Sequence, residues 1–232
     1  MTTLVLVRHG QASFGKKNYD VLSETGERQS RILGGHWATL ESKCDAAYCG
    51  AMSRQRRTGE EVLTALQLDP ASLREHAGFN EYNADAVIRA YLPLIAREHP
   101  EYRVEKHALF TDRAKFQQFF EMIVAAWIAN KPHGETHLES FDEFCARCIA
   151  GLRDVAPPDA DTIVVFTSGG MITAALREAL NLDAHDAFRL NWRIYNASVH
   201  RFSLGRRGLS LLGFNDVAHL QMARDPALLT FR

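Results

Sequence analysis

The stretch from Leu4 to Gly10 reads Leu-Val-Leu-Val-Arg-His-Gly and decides how the fold is interpreted. Its four consecutive apolar residues predict a short strand buried on both faces, as in a parallel sheet covered by helices. Arg8 and His9 follow the strand directly and precede a glycine turn. Ligands of open α/β sheets bind at the carboxyl ends of the strands, so both side chains are predicted to lie at a binding edge.

Strand-like and helix-like segments alternate along most of the chain, which predicts an α/β fold. Further strands are predicted over the apolar runs Ala46–Cys49 and Ile163–Thr167, and in a hairpin whose arms Val199–Leu204 and Leu209–Phe214 flank Gly205-Arg206-Arg207-Gly208. A helix that runs to about Leu40 is predicted to open at Ser23-Glu24-Thr25-Gly26, with Ser23 or Thr25 as its cap. Two more helices are predicted, from about Arg54 to Leu66 and after Ser168-Gly169-Gly170 to near Leu180.

The segment from Asn83 to Leu138 differs from the rest because it has no strand pattern. It contains two helical patterns, Ala86–Ala96 and Lys115–Asn130. In the second pattern one stripe is apolar and is predicted to pack in a core: Phe116, Phe119, Phe120, Ile123 and Trp127. We interpret residues 83–138 as a helical insertion within one domain of residues 1–232, where it would cover the pocket and set specificity.

Composition excludes several classes of protein. The 232 residues are 46% hydrophobic and 24% charged, with 27 Lys and Arg against 28 Asp and Glu, which is typical of a globular protein and not of disordered or fibrous chains. A net charge of −1 gives no general attraction to nucleic acid or to anionic membranes, so neither partner is expected. The longest apolar run, Met122 to Ala129, is too short to span a bilayer, and the first residues lack a signal-peptide pattern, so a cytoplasmic location is expected.

The four cysteines do not predict a disulfide framework or a metal site. Cys145 and Cys148 form a CxxC pair inside a helical pattern, and Cys44 and Cys49 have the wrong spacing for a second pair. Reduced and mostly buried thiols are expected, and no metal is predicted.

Two further strand ends carry groups suited to an anion. Ser53-Arg54-Gln55-Arg56-Arg57-Thr58 follows the second strand at the start of a helix, and Ser168-Gly169-Gly170 follows the strand Ile163–Thr167. A helix N-terminus offers free N–H groups, and the Arg side chain matches phosphate oxygens two at a time. One of the three arginines is expected to turn inward, so the strand ends together predict a pocket for a phosphate group.

The chain resembles the histidine phosphatase superfamily, also called the phosphoglycerate mutase-like family. The resemblance rests on these motifs, in the family's order: Arg8-His9-Gly10, Leu22-Ser23-x-x-Gly26, Arg54 to Thr58, Phe79-Asn80-Glu81-Tyr82, Glu139-Ser140-Phe141 and Val165 to Gly170. It implies a three-layer α/β/α sandwich with a mostly parallel central sheet and a helical insertion over the active site.

The resemblance also implies the site residues. His9 would attack phosphorus and carry the phosphoryl group, Arg8 and Arg54 would bind its oxygens, and Glu81 would act as general acid and then as base. Gly10, Ser168 and Gly169 would bind the substrate, a small phosphorylated molecule, and neither a metal nor another cofactor is implied.

The chain departs from the family at Ser168, where most members have a second His. A hydroxyl donates a hydrogen bond but carries no charge, so weakened catalysis is expected. Other histidines that would have to fill this space are His133, His137, His200 and His219.

Three functions therefore stay open. The first is a metal-independent phosphatase, and the second is a weak or inactive member that binds a phosphorylated ligand or partner. The third makes Ser168 a nucleophile served by Asp216 and His219, although position 166 is Phe where the hydrolase motif has Gly. An edge strand over Asn196–Leu204 would offer a pairing surface for a homodimer. Contacts of Ser13, Asn18 and Ser53 with substrate are left open.

Overall fold

The computed structural model describes residues 2–13, 20–100, 113–134, 137–155 and 161–231. It contains a six-stranded sheet whose strands are β1 (Thr2–Arg8), β2 (Ala46–Cys49), β3 (Arg74–Glu75), β4 (Thr162–Thr167), β5 (Val199–Gly205) and β6 (Gly208–Asp216). The helices are α1 (Glu24–Thr39), α2 (Ser53–Ala65), α3 (Ala84–Glu98), α4 (Arg113–Ile128), α5 (Phe141–Asp154), α6 (Gly169–Leu180), α7 (Ala184–Asn191) and α8 (Ala218–Met222). A mixed α/β fold with a central sheet flanked by helices is thereby confirmed.

The sheet is ordered β3-β2-β4-β1-β5-β6. Strands β3, β2, β4 and β1 run parallel to their neighbours, whereas β5 is antiparallel to β1 and β6 is antiparallel to β5. The carboxyl ends of the parallel strands therefore meet at one edge, where Arg8 is paired with Thr167.

One prediction about this sheet is wrong. Residues 199–205 form an interior strand, because the hairpin places β6 outside β5. Both backbone edges of β5 are used in pairing, so the edge predicted over Asn196–Leu204 is not available to a second chain. The edge strand on this side is β6.

The central strand β1 is apolar on both faces because both faces are covered. Val5 and Val7 pack in one cluster with Leu33 of α1, Val62 of α2 and Phe166 of β4. Leu4 and Leu6, which alternate with them, are fully buried as well. Burying one such side chain stabilises a fold by about 1.5–3 kcal/mol, so β1 is a strong anchor for the residues that follow it.

The chain divides into two compact units, residues 1–81 with 146–232 and residues 82–145. In the second unit α3 packs on α4, and the side chains of Phe119, Ile123 and Trp127 are buried. The Trp127 indole N–H donates to the Glu139 carbonyl at 2.8 Å. Residues 101–112, 135 and 136 of the predicted insertion lie outside the described residues, and its place over the pocket stays a prediction.

Within the described residues, no helix has the length and apolar character needed to cross a bilayer. The same residues contain no group of three or more His, Cys, Asp or Glu side chains arranged to hold a metal ion. Cys145 and Cys148 are buried in α5, and Cys49 is buried in β2.

Candidate active site

The backbone of His9 is held by the end of β4 and by the turn that precedes β5. Its N–H donates to the Thr167 carbonyl at the end of β4, at 2.8 Å. Its carbonyl accepts from the Ala197 N–H and from the Asn196 side chain, each at 3.3 Å. His9 is consequently fixed where the parallel and antiparallel halves of the sheet join.

The hydrogen bonds of the His9 ring assign its tautomer. Nδ1 lies 2.7 Å from the Gly10 carbonyl oxygen, which only accepts, so Nδ1 carries the proton. Nε2 lies 3.1 Å from Nε of Arg54, which only donates, so Nε2 is the acceptor. The ring therefore presents the Nε2 lone pair to a cationic side chain.

The surroundings of His9 keep its ring neutral. Burial lowers the pKa of His9 well below its ordinary value, and the positive charges of Arg54 and then Arg8 lower it further. The hydrogen bond to the Gly10 carbonyl acts in the opposite direction and is the smaller effect. A neutral imidazole has a lone pair for nucleophilic attack, so His9 is suited to that role at neutral pH.

The loop after His9 lies against the start of α1. A Cβ atom at Gly10 would come within 2.4 Å of the Gly26 carbonyl oxygen, and a Cβ at Gly26 would come within 2.2 Å of the Gln11 carbonyl oxygen. Only glycine permits this approach on either side. The Gly10 N–H donates to Oγ1 of Thr58 at 3.0 Å, which ties the same loop to α2.

Arg54 is held by an acidic residue that the sequence analysis missed. Its Nη1 donates to one carboxylate oxygen of Asp20 at 2.8 Å, and the other oxygen accepts from the Ser53 N–H at 2.9 Å. Asp20 thus bridges the Arg54 guanidinium and the N-terminus of α2, where a negative charge is favoured. Its signal in the sequence is an acidic residue just before the Leu22-Ser23 helix start.

The three arginines of α2 differ in direction. The Arg54 side chain is 9% exposed, whereas those of Arg56 and Arg57 are 39% and 49% exposed. Arg56 pairs with Glu75 at 2.9 Å and Arg57 with Glu61 at 2.6 Å. One arginine turns inward and the other two form ion pairs at the surface.

Arg8, the last residue of β1, provides a second positive charge close to His9. Its guanidinium donates to the Ile194 carbonyl, and its charge lowers the pKa of both His9 and His200. A Cβ atom at Gly169 would lie 3.9 Å from Nε of Arg8 and only 2.4 Å from Oδ1 of Asn191. The absence of a side chain at Gly169 therefore permits the close approach of the Asn191 side chain at the end of α7.

Glu81 and Ser168 meet the start of α6 in different ways. The Gly170 N–H donates to Oε2 of Glu81 at 3.0 Å, so the carboxylate caps this helix. The Ser168 hydroxyl oxygen instead accepts from the Gln55 amide at 2.8 Å. Gln55 is a second residue that the sequence analysis missed, although it directly follows Arg54.

His200 and His219 are both buried in the core, and His200 has a hydrogen-bond partner at each ring nitrogen. Nδ1 of His200 accepts from the Asn215 N–H at 3.2 Å, and its Nε2–H faces Oγ of Ser198 at 2.9 Å. Burial lowers the pKa of His200 to about 3 and that of His219 to about 4. His219 also makes a hydrogen bond with the Ala197 carbonyl. Both side chains have structural partners.

The other two histidines considered as replacements for the missing second His both belong to the unit of residues 82–145. The His133 ring lies edge-on to Tyr91, 5.1 Å between ring centroids, and His137 is exposed. Asn18 lies outside the described residues.

The Ser168 nucleophile has little support in this geometry. The Ser168 hydroxyl accepts from the Gln55 amide nitrogen, which only donates and cannot take the hydroxyl proton as a base. Asp216 pairs with Arg201 at 3.0 Å and caps α8 through the Ala218 N–H. Among the residues that the structure describes, no imidazole makes a hydrogen bond with the Ser168 hydroxyl.

Comparison with known proteins identifies one family model that matches most of the chain. The family model described as the histidine phosphatase superfamily (branch 1) matches residues 4–217. A 2,3-bisphosphoglycerate-dependent phosphoglycerate mutase of Mesorhizobium japonicum is 37% identical over 82 residues, which cover 32% of this chain and 40% of that protein. The chain matches only about two fifths of the length of such curated relatives.

Solved structures match along nearly the whole chain. A phosphoserine phosphatase from Entamoeba histolytica, in complex with 3-phosphoglyceric acid, covers 95% of this chain and 100% of its own, with 16% identity and a TM-score of 0.64. A mycobacterial glucosyl-3-phosphoglycerate phosphatase in complex with VO3 covers 93% of this chain and 99% of its own, with 18% identity and a TM-score of 0.60. At these identities the likeness shows a shared fold.

Proposed function

Because the chain belongs to the histidine phosphatase superfamily, we propose that it is a metal-independent phosphatase that hydrolyses a small phosphorylated metabolite through a phosphohistidine at His9. The observation that carries this proposal is the state of the His9 ring, which is buried, neutral and protonated at Nδ1. Its Nε2 lone pair faces a guanidinium that is itself suited to bind phosphoryl oxygens.

In the first step Nε2 of His9 forms a bond to phosphorus while the bond from phosphorus to the ester oxygen breaks. Arg54 exchanges its hydrogen bond with Nε2 for one to a phosphoryl oxygen, which frees the lone pair and neutralises negative charge. Arg8 adds a second positive charge, which also acts on His9. Two guanidiniums supply the charge that a metal ion supplies in other phosphoryl-transfer enzymes.

The ester oxygen must gain a proton as it leaves. Glu81 is the proposed donor, since it is the carboxyl group at the start of α6, beside the predicted phosphoryl site. The leaving alcohol departs with that proton, and Glu81 becomes a carboxylate. In the second step this carboxylate takes a proton from water, the hydroxide attacks phosphorus, and the bond to Nε2 breaks to release inorganic phosphate and neutral His9.

Ser168 is proposed to donate one hydrogen bond to a phosphoryl oxygen. On the family resemblance it stands in place of a second His, so the site has one fewer group able to carry positive charge. Removing one preorganised donor typically costs about 10²–10³ in rate, which is the scale of weakening expected from this departure.

The relatives support hydrolysis and phosphoryl transfer to different degrees. The similar structures named above are phosphatases, whereas the curated relatives matched over about a third of this chain are mutases. Both reactions share the phosphohistidine and differ in the acceptor, which is water for a phosphatase. We favour water because no feature of the described site indicates that the intermediate is protected from it.

The test is hydrolysis of p-nitrophenyl phosphate and of a panel of natural phosphomonoesters in the presence of a metal chelator. Wild type should release phosphate, His9→Ala should lose at least about 10⁴-fold in kcat, and Ser168→His should gain activity. The matched control is His185→Ala, which removes an exposed histidine of α7. A parallel assay of 2-phosphoglycerate formation from 3-phosphoglycerate distinguishes a mutase.

Two outcomes would contradict the proposal. Equal activity of wild type and His9→Ala would exclude the phosphohistidine route. No turnover by wild type or by Ser168→His on any phosphoester, with phosphate still bound, would instead favour the protein that binds a phosphorylated ligand.

A further inference from the structure

The orientation of the Gln55 side-chain amide is fixed by two neighbouring groups, one of which can only accept a hydrogen bond and the other only donate one. Its Nε2 lies 3.3 Å from the Phe79 carbonyl oxygen, which only accepts, and its Oε1 lies 3.3 Å from the Met52 N–H, which only donates. The amide therefore has one orientation. Gln55 is fully buried, and a Cβ at Gly50 would come within 2.3 Å of its Oε1, so the amide is also confined sterically.

This orientation decides the role of the Ser168 hydroxyl. The Gln55 Nε2 also lies 2.8 Å from Oγ of Ser168, and since the amide nitrogen only donates, the hydroxyl oxygen accepts. The hydroxyl proton must then point away from Gln55. Among the residues that the structure describes, no acceptor for this proton is found, although Ser168 is 1% exposed.

The position of Ser168 just before helix α6 gives a second reason to expect its hydroxyl to contact another group. A serine that precedes a helix usually accepts from an N–H of the first turn. Here the Ser168 side chain makes no such bond, and the Gly170 N–H donates to Glu81 instead. Glu81 caps the helix, and the serine hydroxyl is available for another contact.

The pair also lies beside the nucleophile. Gln55 follows Arg54, whose Nε contacts Nε2 of His9, and Ser168 follows Thr167, whose carbonyl holds the His9 N–H. Consecutive residues of α2 thus contact the ends of two neighbouring strands. A phosphoryl group on His9 would bring oxygen acceptors to this edge.

We infer that Gln55 is a positioning residue that orients the Ser168 hydroxyl as a hydrogen-bond donor to a phosphoryl oxygen. The inference rests on the proposed function, because it requires a phosphoryl group at His9. By accepting from Gln55, the serine keeps its proton directed at the site. Gln55 touches neither substrate nor reacting atoms, and it acts through Ser168.

The test is a double-mutant cycle with p-nitrophenyl phosphate as substrate. Ser168→Ala should lower kcat by about 10²-fold with a smaller change in KM, because a preorganised donor acts mainly on the transition state. Gln55→Glu presents an ionised carboxylate that accepts from the serine and turns its proton away, so a similar loss is expected. The double variant should be no slower than Ser168→Ala alone, since Gln55 has no role without the hydroxyl.

Gln55→Met provides a second variant in case a buried carboxylate prevents folding. It removes the amide donor without adding charge, so kcat should fall by about 3- to 10-fold, again only when Ser168 is present. The matched control is Gln29→Glu, which changes another fully buried glutamine with partners of its own at Leu228 and Gln11. Its effect should add to that of Ser168→Ala.

A binding measurement separates failure of this inference from failure of the proposed function. Orthovanadate and inorganic phosphate are titrated into wild type, Ser168→Ala, Gln55→Glu and the double variant. Non-additive losses of vanadate affinity are expected, larger than those for phosphate. If both anions bind wild type and neither Gln55 variant alters kcat or vanadate affinity, or if the effects of Gln55 and Ser168 add, the inference alone is wrong. If wild type neither binds the anions nor turns over substrate, the proposed function fails and the inference falls with it.

Discussion

His9, directly after β1, and His200, on the neighbouring strand β5, are both buried, and they differ in the group that faces Nε2. In both, burial is the largest cause of a lowered pKa, and Arg8 contributes to both. Nε2 of His200 donates a hydrogen bond to the Ser198 hydroxyl, which in turn donates one to the Tyr195 carbonyl at 2.6 Å. Nε2 of His9 is an acceptor from Arg54.

The difference teaches that burial and a low pKa do not by themselves identify a nucleophile. The lone pair of His200 is at Nδ1 and is used by the Asn215 N–H, so its ring is fully engaged in holding the β5–β6 hairpin. The lone pair of His9 faces a side chain that an arriving phosphoryl group can attract away. A structural histidine and a candidate nucleophile therefore differ here in the group that occupies the lone pair, which is a backbone N–H for His200 and the Arg54 side chain for His9.

Among changes to the surroundings of the two histidines, the largest effect should come from removing the partner of the His9 lone pair. Arg54→Ala should lower kcat/KM for p-nitrophenyl phosphate by about 10³-fold or more, because a preorganised charge on the phosphoryl oxygens is lost. Arg56→Ala is the matched control, since Arg56 is an exposed residue of the same helix paired with Glu75, and it should stay within about 3-fold of wild type. Equal losses in the two variants would mean that general positive charge, and not the contact with His9, is what matters.

Lowering the pH should reduce the free energy of unfolding, because buried histidines are neutral in the folded chain. The pKa values of His9, His200 and His219 are all lowered on folding, whereas the unfolded chain takes up protons near the ordinary value of about 6.5. The contribution of these histidines to the free energy of unfolding is therefore fully present above about pH 6.5. It is lost as pH falls toward 4, by up to about 1.4 kcal/mol per pH unit for each histidine. Urea unfolding between pH 7 and 4 measures this slope.

The His200→Gln variant sharpens the same measurement. It removes one of the three groups, so its slope should be shallower by about 1.4 kcal/mol per pH unit below pH 6, even if it is less stable at pH 7. The exposed His185→Gln change serves as control. A wild-type slope in His200→Gln would show that His200 does not resist protonation in the folded chain.

Changing Asp20, which holds the Arg54 side chain that contacts His9, should have a moderate effect on kcat/KM. Asp20→Asn keeps one acceptor but loses the charge that bridges Arg54 and the Ser53 N–H, so kcat/KM should fall by about 10-fold as the guanidinium becomes less well placed. Asp225→Asn, which changes an aspartate paired with the exposed Arg28, should leave turnover unchanged. An Asp20→Asn enzyme as fast as wild type would mean that Arg54 is positioned without its acidic partner.

The smallest effect is expected at Ser198. Ser198→Ala leaves the Nε2–H of His200 without its acceptor and should cost about 1 kcal/mol of stability. Because His200 takes no part in the proposed chemistry, kcat should change by less than about 2-fold. Thermal unfolding and turnover of the same preparation check both statements, and a tenfold loss of turnover would place His200 within the catalytic machinery.

The elements that carry the site could be predicted from sequence because each has a strong local signal. The continuous apolar runs of β1 and β4 indicate covered strands, and Ser23 caps α1 through the Gly26 N–H as its position before the helix suggests. Helix α2 begins one residue before the predicted Arg54. Helices α7 and α8 were not predicted, since at 8 and 5 residues they are too short for a clear period.

The supporting residues could not be predicted because their partners are distant in the chain. Asp20 meets Arg54 across 34 residues, and Gln55 meets Ser168 across 113 residues. Neither residue type is unusual where it stands, so only the packing of the loop before α1 and the ends of two strands gives them a role. The wrong edge assignment for β5 has the same origin, since strand order depends on long-range pairing.

The central place of β1 also bears on how the protein is made. Its two neighbours in the sheet, β4 and β5, begin at Thr162 and Val199, whereas β1 ends at Arg8. About 150 further residues must be synthesised before β4 can pair with it, which takes roughly 8 to 30 s at about 5–20 residues per second. Until then His9 has no Thr167 carbonyl to hold it. A nascent chain should therefore bind no phosphate on the ribosome, and a polypeptide truncated before β4 should need protection by chaperones because its most apolar strand lacks a partner.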